Sequence, residues 1–214
     1  MVNNNQAQHQ LSIQGGWNFS SLYKVGSRET IQASTFNAEI FAFTPIHLPY
    51  LGVKYNYNLP SSNLRFSTGI SFLSMGAMDF FWKGTRWAYL YLTVPLMVGT
   101  SFKVSDQVNL AIEGGVEGGA SLTNVGDLEN AARIGQTRYY AGILLGGEFN
   151  YKRMSLGIRG HLGVNNFDRW VFTAIQETMY FRHIGGTVYI GYTFWDSAKA
   201  KQKKQLKAVA KKKK

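Results

Sequence analysis

The chain has 214 residues, enough for one domain with a sizeable interior, and its 16% charged and 14% aromatic residues, 23 glycines and four prolines suit strands and tight turns better than helices. Its net charge of +11 lies in the tail: residues 199–214, KAKQKKQLKAVAKKKK, hold nine lysines and no acid, which leaves 23 − 9 = 14 basic against 12 acidic residues elsewhere, a net of +2. A nearly neutral body with no basic face argues against nucleic-acid binding, and the absence of cysteine excludes a disulfide framework, a thiol nucleophile and a Cys-ligated metal.

Residues 1–9 form an N-terminal segment. MVNNNQAQHQ has no apolar h-region, so no signal peptide is expected in this chain; it is either cytosolic or a mature form, and Gln-Ala-Gln at 6–8 would fit a cleavage site. From residue 10 the hydrophobic period is two almost everywhere. In 10–20, Leu11, Ile13, Trp17 and Phe19 oppose Gln10, Ser12, Gln14, Asn18 and Ser20; in 50–59, Leu51, Val53, Tyr55 and Tyr57 oppose Lys54, Asn56 and Asn58. In 64–74, Leu64, Phe66, Ile70 and Phe72 oppose Arg65, Ser67, Gly69 and Ser71; in 87–103, Leu90, Leu92, Val94, Leu96 and Val98 oppose Tyr89, Tyr91, Thr93 and Met97. In 108–122, Leu110, Ile112, Val116 and Leu122 oppose Glu113, Glu117 and a run of glycines. In 139–152, Tyr139, Ile143, Leu145 and Phe149 oppose Tyr140, Leu144, Glu148 and Lys152. In 155–166, Leu156, Ile158 and Leu162 oppose Ser155, Arg159 and His161; in 181–194, Ile184, Val188, Ile190 and Phe194 oppose His183, Thr187 and Tyr189. A strand separates such sets onto two faces, whereas a helix scatters them.

Eight strands follow, with connections that alternate in length. PSSN (60–63), VSDQ (104–107) and the region of Arg153-Met154 are short; roughly 22–48, 76–86, 124–136 and 167–180 are long. No run of 18 apolar residues exists, so no transmembrane helix is expected. An even strand count with short turns at one end and long loops at the other is the layout of an outer-membrane barrel.

Eight strands also describe a soluble lipocalin-like carrier of a small apolar ligand, for which GGW at 15–17 is a partial echo. Three features favour the membrane. Most apolar faces persist for ten or more residues, enough to cross a tilted bilayer path. Aromatics sit at their ends: Trp17, Phe19, Trp87, Phe102, Tyr139, Tyr151, Phe194 and Trp195. The opposite faces are rich in Gly, Ser, Asn and Thr, small residues that suit a narrow interior. In this inside-out arrangement Lys54, Arg65, Glu113, Glu117, Glu148, Arg159 and His161 form a lumenal charge network, with Lys152 near it, because unpaired buried charges are costly. Such a lumen is a plug; a narrow ion channel is the other use of it.

No enzymatic, cofactor or metal site is expected. His161, Ser155 and Glu148 read as polar filling, without a Gly-x-Ser-x-Gly nucleophile motif, and the four histidines lack metal-ligand spacing. The paired glycines lie inside strands with no following helix, so they are not phosphate loops. The apolar stretches FNAEIFAFTPIHLPY (36–50), MDFFWKGTRW (78–87) and DRWVFTAIQET (168–178) are unusual for solvated loops. Phe80, Phe81, Trp82, Trp170 and Phe172 are their candidate partner-binding residues. In the tail, Lys199, Lys201, Lys203, Lys204 and Lys207 are candidates for peptidoglycan, anionic lipid or an acidic periplasmic protein. The same tail also reads as a disordered end, or as a segment in part not native to the protein.

The stretch YLYLTVPLMVGTSFKVSDQVNLAIEGGVEGGASL (89–122), with GGWNFS (15–20), resembles the small outer-membrane barrels of the PorT-like type, common in Bacteroidetes. The resemblance implies an outer-membrane location, and its relatives imply a link to type IX secretion. Such barrels end on the last strand's aromatic, Phe194 here, whereas this chain runs on for 20 residues. The expected protein is all-β: an eight-stranded antiparallel up-and-down transmembrane β-barrel over 10–195 and a disordered Lys-rich periplasmic tail over 196–214. Its expected role is non-enzymatic, as a structural or accessory subunit of a larger outer-membrane assembly, with both termini periplasmic.

Overall fold

The computed structural model describes residues 8–28, 43–59, 62–79, 86–105, 107–125, 139–166, 168–172 and 177–197. Among the described residues ten strands occur in chain order: β1 (Gln8–Arg28), β2 (Phe43–Thr44), β3 (Ile46–Asn58), β4 (Leu64–Asp79), β5 (Arg86–Lys103), β6 (Val108–Val125), β7 (Tyr139–Tyr151), β8 (Met154–Gly163), β9 (Asp168–Phe172) and β10 (Glu177–Asp196). Eight of them pair antiparallel in the order β1-β3-β4-β5-β6-β7-β8-β10, and β10 pairs back onto β1. The sheet is therefore a closed up-and-down barrel with no free edge among these eight strands. No helix of the described residues is long and apolar enough to cross a membrane.

Alternation along β8 explains the wall. Met154 to Gly163 read exposed and buried by turns. Ile158 is 62% exposed and Arg159, the next residue, 4%. The same inversion holds around the ring: Val53, Phe66, Leu96, Ile112, Leu145 and Ile190 face outward, while Lys54, Arg65, Glu113, Glu148 and Arg159 are buried inside. An outer wall made of Leu, Ile, Val and Phe far exceeds the apolar patch a soluble surface carries and matches hydrocarbon instead. This overturns the lipocalin reading, in which the apolar faces turn inward.

The aromatic ends follow. Trp17, Phe19, Phe102, Tyr139, Tyr151, Phe194 and Trp195 lie on the outer surface, and Trp87 lies in β5. Phe194 and Trp195 are neighbours in sequence yet both exposed, because the β1–β10 register slips between Leu11 and Ser12. A bulge places two consecutive side chains on nearly one face.

The turns sit close to their expected places. The β7–β8 turn is Lys152-Arg153, one residue earlier than the sequence suggested, since Met154 already pairs with Tyr151. Lys152 has φ 56, the left-handed region a two-residue hairpin needs. Its ammonium lies 5.0 Å from the Tyr151 ring centroid, so it belongs to the turn and not to the lumen. At the other end the strands outrun the expected bounds: β1 continues to Arg28, β4 to Asp79, and β10 begins at Glu177. β9 pairs with Glu177–Phe181 to prolong the wall there, and β2 pairs with Met78–Asp79.

Two gaps in the ladder have local causes. Between Thr68/Leu96 and Ser71/Thr93 the β4–β5 bridges lapse opposite Pro95, which has no N–H to give. Beyond Tyr50/Leu73, β3 parts from β4. There β1 side chains take over: Asn18 Nδ2 donates to the Ser74 carbonyl at 2.7 Å, and the Gly76 N–H donates to Ser20 Oγ at 3.1 Å.

Candidate functional site

The site is the lumen. Its charged residues come from facing strands, and each lies beside a glycine in the register: Lys54 by Gly69, Arg65 by Gly99, Glu113 by Gly99 and Gly146, Glu148 by Gly157, Arg159 by Gly146, and Glu117 by Gly142. The glycines leave room for long neighbours to cross the barrel. The expectation of small lumenal side chains was thus half of the pattern; small alternates with large, as a filled eight-strand interior requires.

Toward the turn end, four charges interlock. Lys54 Nζ lies 2.8 Å from Glu113 Oε2 and 3.0 Å from Glu148 Oε2. Arg65 reaches Glu113 Oε1 through Nε and Glu148 Oε1 through Nη2, each at 2.8 Å. Side-chain exposures in this quartet run from 2% to 6%. β3 and β7 stand opposite one another in the ring, so the Lys54–Glu148 pair spans the lumen. Ser67 Oγ contacts Glu113 Oε1 at 3.0 Å, and Tyr189 OH donates to Glu148 Oε2 at 3.0 Å. A desolvated quartet of two cations and two anions is tolerated because each carboxylate accepts from both cations.

Midway, His161 Nδ1 lies 2.7 Å from Glu117 Oε1, which also accepts the Tyr140 hydroxyl at 2.9 Å. His161 Nε2 lies 2.8 Å from Thr187 Oγ1, which donates onward to Asn18 Oδ1 at 3.0 Å. Arg159 reaches across to Tyr50 OH at 3.4 Å and stands 5.4 Å from the Tyr189 ring centroid. A Cβ on Gly157 would collide with the Tyr189 ring, so that glycine seats the tyrosine.

Toward the loop end the interior turns apolar. Leu22, Leu73, Met75, Tyr89, Tyr91 and Phe181 are buried together. The Tyr91 and Tyr140 rings meet at a tilt of 53° with 5.8 Å between centroids, and both meet the His183 ring edge-on at 6.2 Å. The sequence pattern places Tyr89, Tyr91, Tyr140 and His183 on the inward face, but period two by itself does not mark an apolar core. The signal was present: Tyr89, Tyr91, His183 and Tyr189 are too large for a merely small-residue lumen.

Eight antiparallel strands form a closed ring, apolar outside and charged inside. The fold is that of a small outer-membrane β-barrel. The outer membrane protein OprG from Pseudomonas aeruginosa shares it with a TM-score of 0.55 at 10% identity, over 91% of this chain and 99% of that one. Neisserial surface protein A aligns with a TM-score of 0.45 at 11% identity, over 86% of this chain and 97% of that one. The N-terminal barrel domain of Pseudomonas aeruginosa OprF aligns at 0.36 and 10% identity, over 87% of this chain and 99% of that one. No family model and no curated protein matches the sequence.

The lumenal candidates Lys54, Arg65, Glu113, Glu117, Glu148, Arg159 and His161 are all buried, and they are brought into the two clusters above. Ser155 and His161 are six residues apart on β8, roughly 20 Å at strand rise, so they do not form a nucleophile–base pair. Among the described residues no three His, Asp or Glu converge to hold a metal. Of the partner candidates, Trp170 and Phe172 lie in β9. Phe80, Phe81, Trp82, Lys199, Lys201, Lys203, Lys204 and Lys207 lie outside the described residues, as do residues 1–7 and the tail from 198.

Proposed function

We propose that the protein is a non-enzymatic barrel of the bacterial outer membrane that serves as a structural or accessory subunit of a larger assembly. The observation that carries this reading is the Lys54–Glu148 pair, which bridges opposite walls inside a buried quartet. A lumen crossed by ion pairs offers no solute path, which moves the protein's work to its two ends. At the loop end the apolar segments 78–87 and 168–178 supply contact surface. At the turn end the cationic tail supplies charge for peptidoglycan, anionic lipid or an acidic protein. With the short turns facing the periplasm, as in barrels of this layout, both termini are periplasmic. A PorT-like kinship and a place in type IX secretion rest on the resemblance in 15–20 and 89–122 alone.

Two measurements test this. In planar bilayers the purified barrel is expected to give no stepwise conductance; discrete steps would replace the plug with a narrow channel. On native gels of mild detergent extracts it is expected to run within a larger complex that residues 196–214 help to retain. Migration as a lone barrel, with or without the tail, would remove the assembly role.

A further inference from the structure

The hydrogen bonds around His161 determine the proton count of the His161–Glu117 pair. Asn18 Nδ2 faces the Ser74 carbonyl oxygen at 2.7 Å, and a carbonyl only accepts, so the Asn18 amide is oriented with Oδ1 toward Thr187. That oxygen takes the single Thr187 hydroxyl proton at 3.0 Å. Thr187 Oγ1 must then accept from His161 at 2.8 Å, so Nε2 carries a hydrogen. The other ring nitrogen lies 2.7 Å from Glu117 Oε1, a contact that needs a proton between the two atoms, whichever owns it. His161 and Glu117 are therefore neutral as a unit: imidazolium with carboxylate, or imidazole with carboxylic acid.

The remaining buried charges do not cancel. Lys54 and Arg65 balance Glu113 and Glu148. His161 balances Glu117, and His183 brings no negative charge. Arg159 is left over, a surplus of one positive charge among the described buried side chains. Its guanidinium carries five N–H donors, and one described oxygen, Tyr50 OH, lies within hydrogen-bond distance at 3.4 Å. Tyr50 passes its own proton to Gln14 Oε1 at 3.0 Å. That orients the Gln14 amide and leaves its Nε2, buried and without a partner, as a second unused donor in the same cluster.

The geometry points to a binding site for one halide-sized monovalent anion, held by Arg159 and Gln14 Nε2 beside Tyr50 and Tyr189 in the middle of the lumen. The cluster offers donors and one uncompensated positive charge, so it selects an acceptor with a single negative charge. An eight-strand interior is just wide enough for side chains or one small ligand, which limits an occupant to a single small ion. Desolvating that ion is offset by a fixed cation already desolvated by the fold. In saline media the occupant is chloride. The inference concerns the lumen and does not depend on the assembly role proposed above.

Bromide is the probe. Crystals of the full chain grown in sodium bromide are expected to show an anomalous peak in contact with the Arg159 guanidinium and Gln14 Nε2. In detergent, heat- and SDS-driven unfolding is expected to be about tenfold slower in sodium chloride than in sodium gluconate at equal ionic strength, the factor one charge-assisted hydrogen bond commands. Arg159→Met should abolish both effects. Gln14→Glu decides even where Arg159→Met does not fold, because it supplies the missing acceptor covalently. This variant should fold, lose the bromide peak and unfold at one rate in both salts. Water alone beside Arg159 in bromide crystals, equal rates for the parent in the two salts, or a Gln14→Glu barrel less stable than the parent in gluconate would each overturn the site.

Discussion

The two halves of the lumen are filled by opposite chemistries on the same eight strands. Toward the turns, four strands contribute Lys54, Arg65, Glu113 and Glu148, and every one is bound to the two of opposite sign. Toward the loops, Leu22, Leu73, Met75, Tyr91 and Phe181 pack without any charge. A buried charge needs particular partners, whereas a buried ring or aliphatic chain needs only filled space. This contrast sets where the barrel tolerates change. The charged half should respond all-or-none to loss of a partner, and the apolar half should respond by degrees.

The largest effect is expected at Lys54. Lys54→Met keeps the shape of the stem but leaves Glu113 and Glu148 with Arg65 alone. That should cost about 3–5 kcal/mol and erase the SDS-resistant folded band on unheated gels. The charge-balanced double variant Lys54→Met/Glu148→Leu retains the Arg65–Glu113 pair at 2.8 Å and should recover most of the loss. A double variant as unstable as the single one would mean that packing, not charge, holds this half.

The outer wall calibrates both halves. Ile158 faces outward beside inward Arg159. On a soluble surface Ile158→Arg would be close to neutral, whereas on a lipid-facing wall it should cost about 2–4 kcal/mol near the midplane. Urea titration of the barrel in lipid vesicles reads this directly. A neutral result would place β8 outside the hydrocarbon.

The next effect is smaller and lies in the apolar half. Leu73→Met is, like Lys54→Met, a substitution that roughly conserves volume. At the fully buried Leu73 it should cost less than about 1.5 kcal/mol, with the folded band intact. A loss as large as that at Lys54 would show that the loop half is as exacting as the charged one.

Most of the wall was legible in the sequence because its signal is a contrast. Where Val53 and Lys54 or Ile158 and Arg159 alternate, one face meets lipid and the other does not, and period two reports the strand and its orientation together. The contrast fades at the loop end. Leu73 to Gly76 are all buried, where β3 has parted from β4 and β1 side chains take its place, and alternation no longer marks a face. That is why the strand ends and the apolar core were missed. Lumenal membership could be read residue by residue, but pairing could not. Lys54 meets Glu148 from the opposite wall, a contact set by strand stagger and tilt, which one strand's pattern does not contain. Lys152 was misplaced for a related reason: it keeps the inward parity of β7, but the chain has already turned.

The smallest effect lies on the boundary between the halves. Tyr140 packs against the Tyr91 and His183 rings, so its ring belongs to the apolar half, while its hydroxyl donates to Glu117 and belongs to the polar one. Tyr140→Phe keeps the ring and removes one donor. Glu117 Oε1 still has His161 Nδ1 at 2.7 Å, so no charge is orphaned. The expected loss is about 1 kcal/mol, seen as a shift in urea midpoint at constant slope. A loss of 3 kcal/mol or more, on the order of that at Lys54, would show that Glu117 and His161 cannot stand as a pair without the tyrosine. The charged half would then extend up to the aromatic cluster. No measurable loss would instead mean that the hydroxyl is incidental and the boundary lies one layer lower, at Tyr189, whose own hydroxyl reaches Glu148.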